Sequence, residues 1–216
     1  MQIMKLSRYG EDGIRLLFGD SINLEIHAEV RRAYFFLKSL DLKEIIDIIP
    51  SFRSCLVHFN SEMTSFQKLA TFISGMKPMA TAVDLPEPKT YEITVNYGGE
   101  FGSDMEFLTS HLKLTEDEIV EIHTSVTYTV FTVGFIPGFP YLGILDRRLS
   151  VPRLETPRVK VPEGSVGIAR LQTGIYPFDS PAGWRIIGRT DQKLFNPKDA
   201  PYSLLQIGDK IRFLRI

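Results

Sequence analysis

The side chains best suited to chemistry cluster between Gly134 and Thr190: Arg147, Arg148, Arg153, Arg158, Lys160, Gln172, Tyr176, Trp184, Arg185 and Arg189. An arginine fork takes a carboxylate or phosphate through paired hydrogen bonds. An amide beside a hydroxyl, as in Gln172-Thr173, fixes a small polar group. Arg158 is therefore a candidate for holding an anionic small molecule, and Gln172 and Thr173 for fixing a small polar substrate. Each also has a plainer reading. Arg158 could pair with Glu155 or Glu163, Gln172 and Thr173 could cap backbone at a turn before Gly174, and Tyr176 and Trp184 could be core. In Gly134-Phe-Ile-Pro-Gly-Phe-Pro-Tyr141, Pro137, Phe139 and Tyr141 belong to a rigid apolar loop suited to a pocket wall or a protein-docking edge. Seven of the 13 prolines and eight of the 16 glycines fall in this segment, so its residues specify a particular loop geometry.

Other chemistries are not encoded. There is no G-x-x-x-x-G-K-[ST] phosphate cradle, and Pro162-Glu-Gly-Ser-Val-Gly167 does not fit a G-x-S-x-G nucleophile elbow. His27, His58, His111 and His123 lack metal-ligand spacing, so no metal site is expected. His123 alone lies close to the punctuated segment, where it could activate Ser165 or Ser180. His27 is expected to face solvent, and Cys55, alternating with Val57 and Phe59, to be buried filler. A net charge of −1 argues against general nucleic-acid binding. No signal peptide or bilayer-length apolar run is visible, which points to the cytoplasm rather than a membrane.

These groups need scaffolding, and the patterning supplies two domains. Residues 1–83 read as ββαββα: strands Ile3–Arg8, Ile14–Phe18, Glu44–Ile49 and Ser54–Phe59, with helices Ile22–Leu40 and Thr64–Gly75. Ile26, Val30, Tyr34 and Leu37 mark the expected inner face of the first helix. That order predicts a small α+β domain with helices on an antiparallel sheet. Residues 84–90, Asp-Leu-Pro-Glu-Pro-Lys-Thr, read as a linker. Residues 91–216 open with a strand at Tyr91–Asn96. Ser103-Asp-Met-Glu106 and Thr115-Glu-Asp-Glu118 match capping boxes at the starts of two short helices. Strands follow at Ser125–Val133, Val159–Val161, Ser165–Ala169, Gly174–Tyr176, Trp184–Arg189 and Lys210–Ile216, predicting a closed or nearly closed β-barrel.

The punctuated segment also resembles the signature of the 5-oxoprolinase B-subunit family, known too as KipI-type kinase inhibitors or allophanate hydrolase subunit 1. The resemblance rests on GF-x-PGF-x-YL at Gly134–Leu142, PR-x-x-TPR at Pro152–Arg158, VP-x-GSVGIA at Val161–Ala169, QTGIYP at Gln172–Pro177, SP-x-GW at Ser180–Trp184 and IGRT at Ile187–Thr190. Ala182 departs from it, standing where a second glycine is usual. The resemblance implies an N-terminal α+β domain joined to a cyclophilin-like barrel. It further implies one component of the ATP-dependent enzyme that opens 5-oxoproline to glutamate, inactive alone and working with a homologous C subunit plus a separate A subunit. ATP would be used by the assembled complex. Arg158, Gln172, Tyr176, Arg189 and His123 become the catalytic candidates, in a pocket near Arg158 and Gln172 that opens toward the partner. Two alternatives accompany the resemblance: inhibition of a sensor histidine kinase, docking through Pro137–Tyr141, and a carboxyltransferase-type role on urea or another amide.

Overall fold

Period-two alternation near the start of the chain becomes four antiparallel strands: β1 Lys5–Tyr9, β2 Gly13–Leu17, β3 Ile45–Pro50 and β4 Ser54–Phe59, in the order β1-β2-β4-β3. The computed structural model describes residues 3–76 and 85–216. These fall into two compact units, Met1–Glu87 and Pro88–Ile216. Asp84, where the expected linker begins, lies outside the described residues, and Thr90, where it ends, already belongs to a strand.

In the first unit, β4 alternates Cys55, Val57 and Phe59 inward, and burial pushes the Cys55 thiol well above its ordinary range. His58 points the other way and meets Asp12 at 3.0 Å. Helix α1, Leu24–Ser39, begins where the Asn23 side chain accepts the Ile26 N–H at 2.8 Å. Its buried residues are His27, Val30, Ala33, Phe36 and Leu37. The inner face is thus rotated from the expected one, and His27 is buried rather than solvent-facing. Helix α2, Phe66–Gly75, is capped by Ser65 and buries Leu69 and Ile73.

The second unit is a closed barrel of seven strands. Its members are β5 Thr90–Tyr97, β6 Thr127–Val133, β7 Pro140–Gly143, β9 Ser165–Ala169, β10 Gln172–Ile175, β12 Arg185–Arg189 and β13 Lys210–Arg215. Around the barrel they run β10-β7-β6-β13-β5-β12-β9. All neighbours are antiparallel except β13 and β5, which are parallel. Ile93, Val95, Tyr128, Val130, Val166, Ile168, Ile211 and Phe213 fill it. A separate ribbon pairs β8, Arg158–Val161, with β11, Ser180–Ala182.

Helices α3, Met105–Leu112, and α4, Glu116–Thr124, lie between β5 and β6 in the chain. The Thr115 capping box forms as expected, with Glu118 N–H donating to Thr115 Oγ1 at 3.2 Å and Thr115 N–H to Glu118 Oε2 at 2.7 Å. The Ser103 box does not form: Asp104 occupies the cap, and its carboxylate is engaged elsewhere. The barrel departs from expectation in two further places. Strands β7 and β11 had no anticipated counterpart, and Gln172 and Thr173 sit within β10 rather than at a turn. The turn is Arg170-Leu171, with Arg170 in the left-handed region at φ 52°.

Candidate functional site

A second, smaller core joins the β8–β11 ribbon to the barrel wall through Phe139, Val161, Ala169, Tyr176, Ala182, Trp184 and Ile186. Its aromatic members meet mostly edge to face, as ring quadrupoles prefer. Phe139 lies 5.0 Å from both Tyr141 and Tyr176 and 5.5 Å from Trp184, and Tyr141 lies 5.8 Å from Trp184. Gly174 makes this possible. A Cβ there would sit 2.7 Å from Phe139 Cζ and 2.8 Å from the Pro140 carbonyl, so a side chain on β10 would expel the ring at the centre of the cluster.

Beside these rings opens a cavity of about 430 Å³. Phe135, Phe139, Tyr141, Tyr176 and Trp184 form aromatic wall, Pro157 and the Pro181-Ala182-Gly183 stretch complete it, and Arg153 supplies the single cation. The Arg153 guanidinium lies 5.8 Å from the centre of the Trp184 ring. Burial raises the Tyr176 phenol well above its ordinary range, against a backbone hydrogen bond from Trp184 and the Arg153 charge. Burial likewise raises Tyr141, and Arg153 opposes it. Both phenols therefore stay protonated at neutral pH. Ala182 is not among the residues with left-handed backbone, so alanine in place of the usual glycine is accommodated without strain.

The other candidates are placed differently. Arg158 does not line the cavity and pairs with neither Glu155 nor Glu163. Its Nη2 donates to Asp104 Oδ1 at 2.9 Å. Asp104, only 3% exposed, also accepts from Arg185 Nη1 at 3.2 Å and from the Ile186 N–H at 2.7 Å. Arg185 in turn lies 3.7 Å above the Phe107 ring. This hub locks α3 to β8 and β12. Arg189 lies 4.6 Å from the Phe101 ring, away from the cavity. Gln172 is half-buried on β10 opposite Ala169, also outside it. The structure therefore does not gather Arg158 and Gln172 into one pocket.

His123 and Thr173 lie inside the barrel. Both are fully buried. His123 Nε2 is 3.0 Å from Thr173 Oγ1, whose hydroxyl donates to the Gly167 carbonyl at 3.1 Å. Nδ1 is 2.8 Å from the Tyr97 hydroxyl. One arrangement satisfies all three contacts: Tyr97 donates to Nδ1, and Nε2–H donates to Thr173. Burial lowers His123 to about 3, so the ring is neutral. Phe213 and Tyr128 cover it at 4.6 and 5.4 Å between ring centres. Neither Ser165 nor Ser180 is its hydrogen-bond partner. This is a satisfied internal histidine without solvent access, which does not fit a catalytic base.

The apolar loop also resolves into two roles. Phe139 is 1% exposed and belongs to the buried wall, whereas Phe135 lines the cavity yet stays 62% exposed, and Pro137 is exposed too. A partner meeting this loop would touch Phe135 and Pro137, not Phe139. Among the described residues, no group of three or more His, Cys, Asp or Glu is placed to hold a metal, and no helix is long and apolar enough to cross a membrane. Sequence reasoning had not singled out Asp104 or Arg153 for a role. Asp104 was hidden in a local capping pattern. Arg153 stood among the arginines of the punctuated segment, inside PR-x-x-TPR, with nothing to rank it above its neighbours.

Known proteins match this arrangement along most of its length. The family model for the carboxyltransferase domain, subdomain C and D, matches residues 4–205. The 5-oxoprolinase B subunit of Escherichia coli O157:H7 is 49% identical over 176 residues, which is 81% of this chain and 80% of that protein. Its counterpart in Bacillus subtilis (strain 168), also a 5-oxoprolinase B subunit, is 35% identical over 224 residues, 98% of this chain and 92% of that protein. Among solved structures, TTHA0988 superposes with a TM-score of 0.82 at 30% identity over 94% of this chain, which spans 39% of that longer protein. Matches running through both units and across the aromatic cluster leave one assignment: the chain belongs to the 5-oxoprolinase B-subunit family, built on carboxyltransferase subdomains C and D.

Proposed function

We propose that the chain is the non-autonomous B subunit of an ATP-dependent 5-oxoprolinase, working in the cytoplasm with the homologous C subunit plus the A subunit. The observation that carries this reading is the likeness, over 98% and 81% of the chain, to two proteins named as the B subunit of 5-oxoprolinase. In the reaction the ring C–N bond of 5-oxoproline breaks, water adds its oxygen to the carbonyl carbon, and the ring nitrogen leaves as the amino group of glutamate. The lactam is a stable amide, and coupling to ATP activates its carbonyl oxygen. Such chemistry requires a water-poor enclosure and cationic groups for the developing negative charge.

The cavity beside Trp184 supplies part of that requirement. Its lining gives apolar enclosure, with one guanidinium available to hold the substrate carboxylate, but offers neither carboxylate nor imidazole to move a proton. His123, the histidine nearest the segment in sequence, is sealed inside the barrel. The missing proton-transfer and nucleotide-handling groups are assigned to the partner subunits, and the isolated chain is inactive on this reading. The test is ATP-dependent release of glutamate from 5-oxoproline by the chain alone and by the chain with the C and A subunits. Turnover only in the full mixture is the expected result. Robust turnover by the chain alone refutes non-autonomy, and absence of turnover in the full mixture refutes the substrate.

A further inference from the structure

Five cations of the punctuated segment are already committed. Arg148 binds Asp146, Arg158 and Arg185 share Asp104, Lys160 binds Asp179, and Arg189 covers the Phe101 ring. Arg153 differs: among the described residues its contact is the Trp184 ring, and no carboxylate neutralises it. It is also the cation of the cavity wall. We infer that this cavity is a ligand site within the chain itself, for a small flat ring bearing one carboxylate, and that Arg153 selects the carboxylate. The identity of the ring as 5-oxoproline rests on the function proposed above. The site and its charge preference rest on geometry.

Three features support the occupant. The volume, about 430 Å³, falls in the range of small-molecule sites, roughly 300–1,000 Å³. Its walls are mostly flat rings held against one another, which suits a flat ligand laid against Trp184. The walls are also preorganised, so little ordering is left for the ligand to impose. The Leu154 N–H donates to the Gly183 carbonyl at 2.8 Å, tying the residue after Arg153 to the opposite wall. The Trp184 backbone is bonded to the Tyr176 phenol. A carboxylate entering an apolar enclosure is strongly disfavoured without a cation, and the guanidinium at the rim removes that penalty. A neutral ring gains nothing from it.

The cavity carries its own reporter, since Trp184 is the chain's single tryptophan. The full chain is titrated with 5-oxoproline and with 2-pyrrolidinone, the same lactam without the carboxylate, while Trp184 emission is followed. The expected result is a saturable change with 5-oxoproline and binding of 2-pyrrolidinone about tenfold weaker, as for one partly solvated charge-assisted hydrogen-bonded contact. Arg153→Ala removes the difference and Arg153→Lys restores part of it. In the assembled complex, Arg153→Ala raises KM for 5-oxoproline about tenfold and leaves kcat within about twofold. Equal binding of the two lactams by the unaltered chain overturns the inference. So does unchanged KM in Arg153→Ala, and in that case turnover by the complex still upholds the proposed function. Arg153-dependent binding of 5-oxoproline with no turnover in the full mixture separates the two claims the other way: the site stands and the enzyme assignment falls.

Discussion

Replacing Asp104 with alanine tests the hub that holds α3, β8 and β12 in register. Three donors converge on that carboxylate: Arg158 at 2.9 Å, Arg185 at 3.2 Å and the Ile186 N–H at 2.7 Å. Removing one side of a buried ion pair costs about 3–5 kcal/mol, and an orphaned buried N–H costs about 1–3 kcal/mol. The arginine side chains are 31% and 15% exposed, so water recovers part of the loss. About 3 kcal/mol is therefore the expected destabilisation. Unfolding a unit of about 130 residues gains about 0.27 kcal/mol per degree in entropy, so the midpoint falls by about 11 °C. Arg158→Ala should cost only about 1 kcal/mol, because Arg185 keeps the carboxylate paired and Arg158 is the more exposed partner. Thermal melts followed by Trp184 emission report on the barrel unit alone, as the chain has no other tryptophan. A midpoint for Asp104→Ala within about 2 °C of the unaltered chain, or a larger loss from Arg158→Ala than from Asp104→Ala, refutes the hub.

Other substitutions probe the wall and the interior. Phe139→Ala, at a residue 1% exposed, should cost about 3–5 kcal/mol in urea unfolding. Phe135→Ala, 62% exposed, should stay within about 0.5 kcal/mol, and a reversal of that order contradicts the division of the loop. Gly164 has φ +77°, and a Cβ there would lie 2.0 Å from the Thr190 carbonyl oxygen, so Gly164→Ala should lose about 2 kcal/mol or more. His123 is lowered to about 3 from 6.5, so below pH 6.5 the unfolded chain takes up a proton that the folded barrel refuses. Its contribution to stability is complete above pH 6.5 and is lost as pH falls toward 3, by up to about 1.4 kcal/mol per pH unit. Denaturation midpoints at about pH 7.5 and about pH 5 should show that slope, and His123→Gln should flatten it.

Local signals were readable in the sequence and long-range partners were not. The Thr115 box formed because both of its bonds lie within four residues, whereas the similar Ser103 pattern lost Asp104 to Arg158, 54 positions away. The Arg170-Leu171 turn was invisible because a left-handed arginine carries none of the glycine or asparagine that marks such turns. Shifting the turn to Gln172-Thr173 then misplaced two candidate residues. On α1, Val30 and Leu37 fit both the expected and the observed faces, and a histidine at position 27 gave no apolar cue to choose between them. The aromatic cluster fared better. Phe139, Tyr141, Tyr176 and Trp184 were all marked by their proline- and glycine-rich surroundings, and the fold brings them together. Nothing in residue type separated Arg153 from the other arginines. Only its place in the cavity wall, with no carboxylate beside it, sets it apart.

Strand β13 closes the barrel by pairing in parallel with β5 and antiparallel with β6. The bond from the Lys89 N–H to Asp209 joins positions 120 residues apart. During synthesis at about 5–20 residues per second, β5 therefore waits roughly 6–24 s for its neighbour. Until then its β13-facing edge, and that of β6, stay unpaired and open to wrong partners. The first unit needs nothing beyond its own four strands to complete its sheet. Its sheet can thus be finished on the ribosome while the barrel is still open, so premature arrest or early proteolysis falls most heavily on the half that carries the cavity.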